Sequence, residues 1–188
     1  MLRIHHAPPT RLLLAIMLAA TLLGAACSSD SSVETGARPD LPRSSGTAKS
    51  PLPEVAVWDV GAAEWVQFAD LVPAEKPVVL WFWAPHCPAC AAEAPDMKKF
   101  AEENADTVEV IGIGTQDDAG MAADFVERHD IPFQMLWDET FETWAAFGIR
   151  AQPATALLSG DGEVLGAWMG GIPAEQVLDL VDAQRMST

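Results

Sequence analysis

Cysteine is scarce in this chain: Cys27, Cys87 and Cys90 are the three in 188 residues. A small fold stapled by disulfides needs several pairs, so that class is excluded. Zinc in a structural site takes four ligands, and the folded region offers no second cysteine pair beside Cys87 and Cys90. His86 and His129 stand at no ligand spacing, so no metal is expected. Basic residues are also few, 11 Lys and Arg against 27 Asp and Glu, for a formal net charge of −16. A surface of that sign repels phosphate backbones, which excludes nucleic acid as a partner. No apolar run reaches the ~20 residues a membrane-spanning helix requires. There is no internal repeat.

What is present falls into three parts. Residues 1–26 read as a secretory signal: Arg3 and Arg11, an apolar run from Leu12 to Leu23 broken only by Thr21, then Gly24-Ala25-Ala26 before Cys27. The site around Cys27 resembles a bacterial lipobox, in which the cysteine is lipidated and becomes the new N-terminus. Ala25 and Ala26 fit it, while Gly24 stands where an aliphatic residue is preferred. The expectation is an exported protein held to the membrane surface through Cys27, or secreted. Residues 27–53 are rich in Ser, Pro, Gly and Thr and read as a flexible linker. Residues 54–188 form the folded domain, in a chain whose hydrophobic content of 49% suffices for a core.

Within that domain, Val55 to Trp58 and Trp65 to Phe68 are short strand candidates around Gly61. Val78 to Trp83 is a continuous apolar run between Pro77 and Pro85, as suits a strand buried on both faces. Cys87 to Asn104 reads as a helix, Val108 to Gly114 as a strand and Met121 to His129 as a helix. A short strand (Gln134 to Trp137) and a helical segment (Thr140 to Phe147) follow. Ala154 to Leu158 and Glu163 to Trp168 pair around Gly160-Asp161-Gly162, and Pro173 to Arg185 closes the chain as a helix. The order predicts an α/β sandwich with a mixed sheet.

Cys87-Pro88-Ala89-Cys90 follows the buried strand and opens a helix. Free backbone N–H groups and the positive end of the helix dipole stabilise a thiolate at Cys87. Pro88 loses nothing in a first turn. Two intervening residues bring the sulfurs within disulfide reach. Cys87 is the expected exposed nucleophile and Cys90, one turn deeper, the resolving thiol.

The segment from Trp81 to Pro95, WFWAPHCPACAAEAP, resembles the thioredoxin superfamily, and within it the exported TlpA/ResA/DsbE-like branch. The resemblance extends over about Glu54 to Ala183. It implies a thioredoxin-like sandwich with a mixed central sheet, helices on both faces and an N-terminal strand extension. It implies that Pro95 kinks the first helix, and that Pro153 is a cis-proline facing the disulfide, with the Gln152 backbone meeting the substrate. It makes Glu93, one turn after Cys90, a proton-handling candidate, because the buried aspartate of ordinary thioredoxins falls here at Trp81. His86, directly before Cys87, is a further candidate at the substrate side; protonated, it would favour the thiolate.

The reading is therefore an extracytoplasmic protein disulfide oxidoreductase with no bound cofactor, acting on protein thiols or disulfides and on a membrane or exported redox partner. The direction of electron flow stays open. The alternative is an exported copper carrier using the same cysteines, although copper chaperones of this fold use a longer cysteine spacing and a well-placed histidine. A thiol peroxidase is disfavoured, since the peroxiredoxin pattern has Thr or Ser three residues before its reactive cysteine and this chain has Ala84 there.

Overall fold

The computed structural model describes residues 33–42 and 50–187. The expected signal segment, Cys27 and residues 28–32 and 43–49 of the expected linker lie outside the described residues.

Among the described residues seven strands form one mixed sheet in the order β2-β1-β5-β4-β3-β6-β7. The central strand is β3 (Val78–Trp83), the continuous apolar run, and all six of its residues are buried. It pairs in parallel with β4 (Glu109–Thr115), which pairs in parallel with β5 (Met135–Asp138). On its other side it meets β6 (Ala154–Leu158) antiparallel, followed by the edge strand β7 (Val164–Met169). The N-terminal extension is an antiparallel hairpin, β1 (Ala56–Asp59) and β2 (Glu64–Gln67), whose β1 pairs with β5.

Alternation along β3 divides the core in two. Val79, Trp81 and Trp83 face a layer containing α1 (Pro88–Glu103), α2 (Ala119–His129) and α4 (Ala174–Ser187). Val78, Leu80 and Phe82 face the opposite layer, where Trp144 of the short α3 (Glu142–Ala146) packs. Helices thus lie on both faces, as a thioredoxin-like sandwich requires. Two glycines of β4 make the first layer possible. Gly112 and Gly114 pair with Trp81 and Trp83, and a Cβ on Gly114 would lie 2.6 Å from the Trp83 ring. Phe125 of α2 then stacks on Trp83 with centroids 4.6 Å apart.

Element ends differ from the expectations where side chains cap the backbone. Asp118 accepts from Met121 N at 2.9 Å, so α2 starts two residues before Met121. Asp138 takes Thr140 N, Thr140 Oγ1, Thr143 N and Thr143 Oγ1, which replaces the first turn expected for α3. Phe68 leaves β2 for a 3₁₀ turn whose entry is capped by Gln67. The first helix runs unbroken through Pro95.

The described part of the Ser/Pro-rich stretch has no helix or strand, yet it touches the domain. Thr35 O accepts from Trp65 Nε1 at 2.8 Å and Leu41 O from Gln67 Nε2 at 2.7 Å. Leu52 is buried in the second layer.

Candidate active site

Cys87 is the N-cap of α1, directly after the loop that leaves β3. Pro88 occupies the first turn, where its missing N–H would have had no helical partner. Cys87 Sγ accepts from Cys90 N at 3.1 Å, as a capping oxygen would. The two cysteines form a disulfide with Cα atoms 5.3 Å apart. Cys87 was expected to be exposed, but it is buried at 6% because it packs into the core layer at the start of α1; Cys90 at 0% is deeper still, so of the pair only Cys87 keeps any accessible edge. Pro88 and Ala89 between them are exposed. A partner can therefore approach Cys87, while Cys90 is reached only from inside the site.

Glu93 is buried one turn further along α1. Its Oε2 accepts from Trp81 Nε1 at 3.1 Å and its Oε1 from Ile172 N at 2.7 Å. The tryptophan standing where ordinary thioredoxins hold an aspartate thus binds a carboxylate arriving from the helix. Burial, the largest influence, raises the Glu93 pKa; the bonds from Trp81 and Ile172 oppose that, and the nearby Asp96 charge adds to it. Ile172 could not be found from sequence, because its role depends on the β7–α4 turn folding back over α1.

His86 is half-exposed, and its Nδ1 lies 2.6 Å from Asp117 Oδ2, in the loop between β4 and α2. The Gln152–Pro153 peptide bond is cis. Register places Ala154 opposite Phe82, so Pro153 stands at the same end of β3 as the disulfide loop. Pro153 O accepts from Gly170 N at 2.8 Å, tying the start of β6 to the end of β7. His86, Cys87, Gln152 and Pro153 thus stand at one end of the sheet outside the helices, with Cys90 in the first turn of α1 and Glu93 one turn below it. Asp117 was not among the residues singled out by sequence; nothing but the crossing of two loops brings it to His86. Among the described residues no group of three or more His, Cys, Asp and Glu could hold a metal ion.

Residues 49–167, more than half of the chain, match the family model described as AhpC/TSA. The chain belongs to the AhpC/TSA family. Among relatives of this AhpC/TSA chain, the soluble secreted antigen MPT53 of Mycobacterium tuberculosis is 40% identical over 87 residues, 46% of this chain and 50% of that protein. The thiol-disulfide oxidoreductase ResA of Halalkalibacterium halodurans is 31% identical over 108 residues, 57% of this chain and 61% of ResA. The chain thus spans only about half to three-fifths of the length of these relatives. Among solved structures, a secreted Mycobacterium tuberculosis disulfide oxidoreductase described as homologous to E. coli DsbE superposes with a TM-score of 0.57 at 29% identity, covering 69% of this chain and 96% of that one. The AhpC/TSA domain here therefore has the thioredoxin-like fold that its active-site segment implied.

Proposed function

We propose that the chain is an extracytoplasmic thiol–disulfide oxidoreductase acting on protein thiols or disulfides through Cys87-Pro88-Ala89-Cys90. The observation that carries this reading is the Cys87–Cys90 disulfide at the N-terminus of α1, with Cys90 fully buried and Cys87 keeping a small exposed edge. Relatives named as thiol-disulfide oxidoreductases and as a secreted antigen support it.

The chemistry follows from the geometry. In the reduced protein, free N–H groups at the start of α1 stabilise a Cys87 thiolate. That thiolate attacks a partner disulfide; the S–S bond breaks and a mixed disulfide forms. Cys90 then attacks Cys87 Sγ, its proton passing to Glu93, and the partner leaves reduced. The reverse sequence oxidises a dithiol. Gln152 and cis-Pro153 frame the bound substrate chain. Sulfur carries the electrons, and no bound cofactor is required. Cys27 is the lipid anchor that places the domain at the outer face of the membrane, within reach of a membrane or exported redox partner.

Cys90→Ser should trap a mixed disulfide at Cys87 with a reduced-and-oxidised test protein, seen as a mass shift reversed by dithiothreitol. Cys87→Ser should trap nothing. A trap at Cys87→Ser, or equal alkylation rates of the two thiols at neutral pH, would overturn the assignment.

A further inference from the structure

The loop from β4 to α2 holds Gln116 at φ 66° and Asp117 at φ 58°, two consecutive non-glycine residues in the left-handed region. Side chains disfavour that conformation, and it persists only where the surroundings impose it. Here they do. Trp137 Nε1 donates to Gln116 O at 3.0 Å, Thr115 Oγ1 donates to Asp138 O at 2.6 Å, and Asp118 caps α2 through Met121 N at 2.9 Å. In this loop conformation the Asp117 carboxylate meets Nδ1 of His86, the residue directly before Cys87, at 2.6 Å. A carboxylate only accepts, so Nδ1 carries the hydrogen and Nε2 is the nitrogen left to exchange a proton. An imidazole oriented by a carboxylate, one residue before a nucleophile, is equipped to handle a proton at a sulfur that reacts with that nucleophile.

Resting on the exchange reading above, we propose that His86 is the general acid–base for the outer half of the reaction and Asp117 its positioning residue. When the Cys87 thiolate attacks a partner disulfide, the partner S–S bond breaks. The leaving sulfur departs with the electron pair and takes a proton from His86 Nε2, which then recovers one from water. In the reverse direction Nε2 takes the proton of a partner thiol as that sulfur attacks Cys87 Sγ, and Cys90 leaves with the electron pair of the broken disulfide, protonated by Glu93. Two groups thereby serve two sulfurs: His86 the partner's, Glu93 the buried Cys90. The neighbouring charges do not confuse the assignment. Asp118 is engaged at the α2 cap, and Glu93 is turned inward to Trp81 and Ile172.

Leaving-group dependence tests this. A basic alkyl thiolate needs a proton as it leaves, whereas an aromatic thiolate leaves readily without one. The reduced full chain is mixed with glutathione disulfide or with an aromatic disulfide such as dithiobis(nitrobenzoate), and attack by Cys87 is followed in stopped flow. His86→Gln should slow the reaction with glutathione disulfide at least about tenfold more than that with the aromatic disulfide. It should also remove the imidazole limb of the pH–rate profile. Asp117→Asn should act in the same sense by a smaller factor, and carries the test alone if His86→Gln does not fold. Equal slowing of both disulfides would make the pair merely structural, and no selective loss with glutathione disulfide would overturn the proposal. A wild-type chain that attacks neither disulfide would instead remove the exchange reading, and the dyad with it.

Discussion

Glu93 is held by opposing forces at a single carboxylate. Burial favours the protonated form, while Trp81 Nε1 and Ile172 N each donate to one of its oxygens and favour the charge. Burial prevails, so the folded pKa lies above the ordinary value. As pH rises through the ordinary carboxylate range, the unfolded chain releases this proton first. The stability that Glu93 contributes is therefore complete below that range and is lost as pH rises through the raised folded value. Gln at this position cannot ionise, but it offers one acceptor to two donors, at a cost of about 1–3 kcal/mol. Glu93→Gln should be less stable than wild type in acid, with the gap narrowing as pH rises; denaturant unfolding across pH 4–9 measures it. A constant gap would mean that Glu93 does not titrate in that window. In exchange kinetics the same variant should slow resolution of the mixed disulfide and leave the first attack by Cys87 unaffected. That Glu93 shares a face with Cys90 was readable from a spacing of three residues. The two donors that hold it were not, because Ile172 is 79 positions away and arrives only when β7 turns into α4.

Strand β4 has to be thin where β3 is broad. Trp81 and Trp83 present their rings to the α1 layer, and Gly112 and Gly114 leave the room that the Trp83 ring and the Met135 side chain occupy. A methyl at Gly114 would sit 2.6 Å from Trp83 Cε2, and Trp83 is also stacked on Phe125 and cannot swing away freely. Gly114→Ala should destabilise by about 1–3 kcal/mol through overpacking. Gly61→Ala, whose Cβ would meet nothing closer than Asp59 Oδ1 at 3.7 Å, should stay within about 0.5 kcal/mol. Chemical denaturation of both variants checks the contrast; equal losses would show that glycine's flexibility and not its missing side chain matters. Strand β3, written as a continuous apolar run, was readable to the residue because both of its faces are buried, and β6, read as a strand after Pro153, keeps its expected bounds and is buried throughout. The start of α3 was not, because a side-chain network at Asp138 competes there with helical turns for the same N–H groups.

For the molecule as a whole, the N-terminal segment bears on where it is expected to work. The lipid anchor proposed at Cys27 predicts that Cys27→Ala moves the mature protein from the membrane fraction to the soluble exported fraction, and that detergent is needed to extract the wild type but not the variant. Equal solubility of the two would remove the lipid anchor. Hydrophobic period and element order determined an α/β sandwich with a mixed sheet, and a cysteine pair opening a helix after a buried strand is a local statement that local physics suffices to read. The thioredoxin-like class and the part given to Pro153 came from the resemblance of the Trp81 to Pro95 segment and its surroundings. Only the tertiary structure decided what surrounds the sulfurs. Glu93 joined to Trp81 and Ile172, and His86 joined to Asp117, are contacts between residues 12, 79 and 31 positions apart. A hydrogen bond of that kind depends on the relative placement of separate elements, which is set by packing of the whole core and leaves no periodicity in the chain.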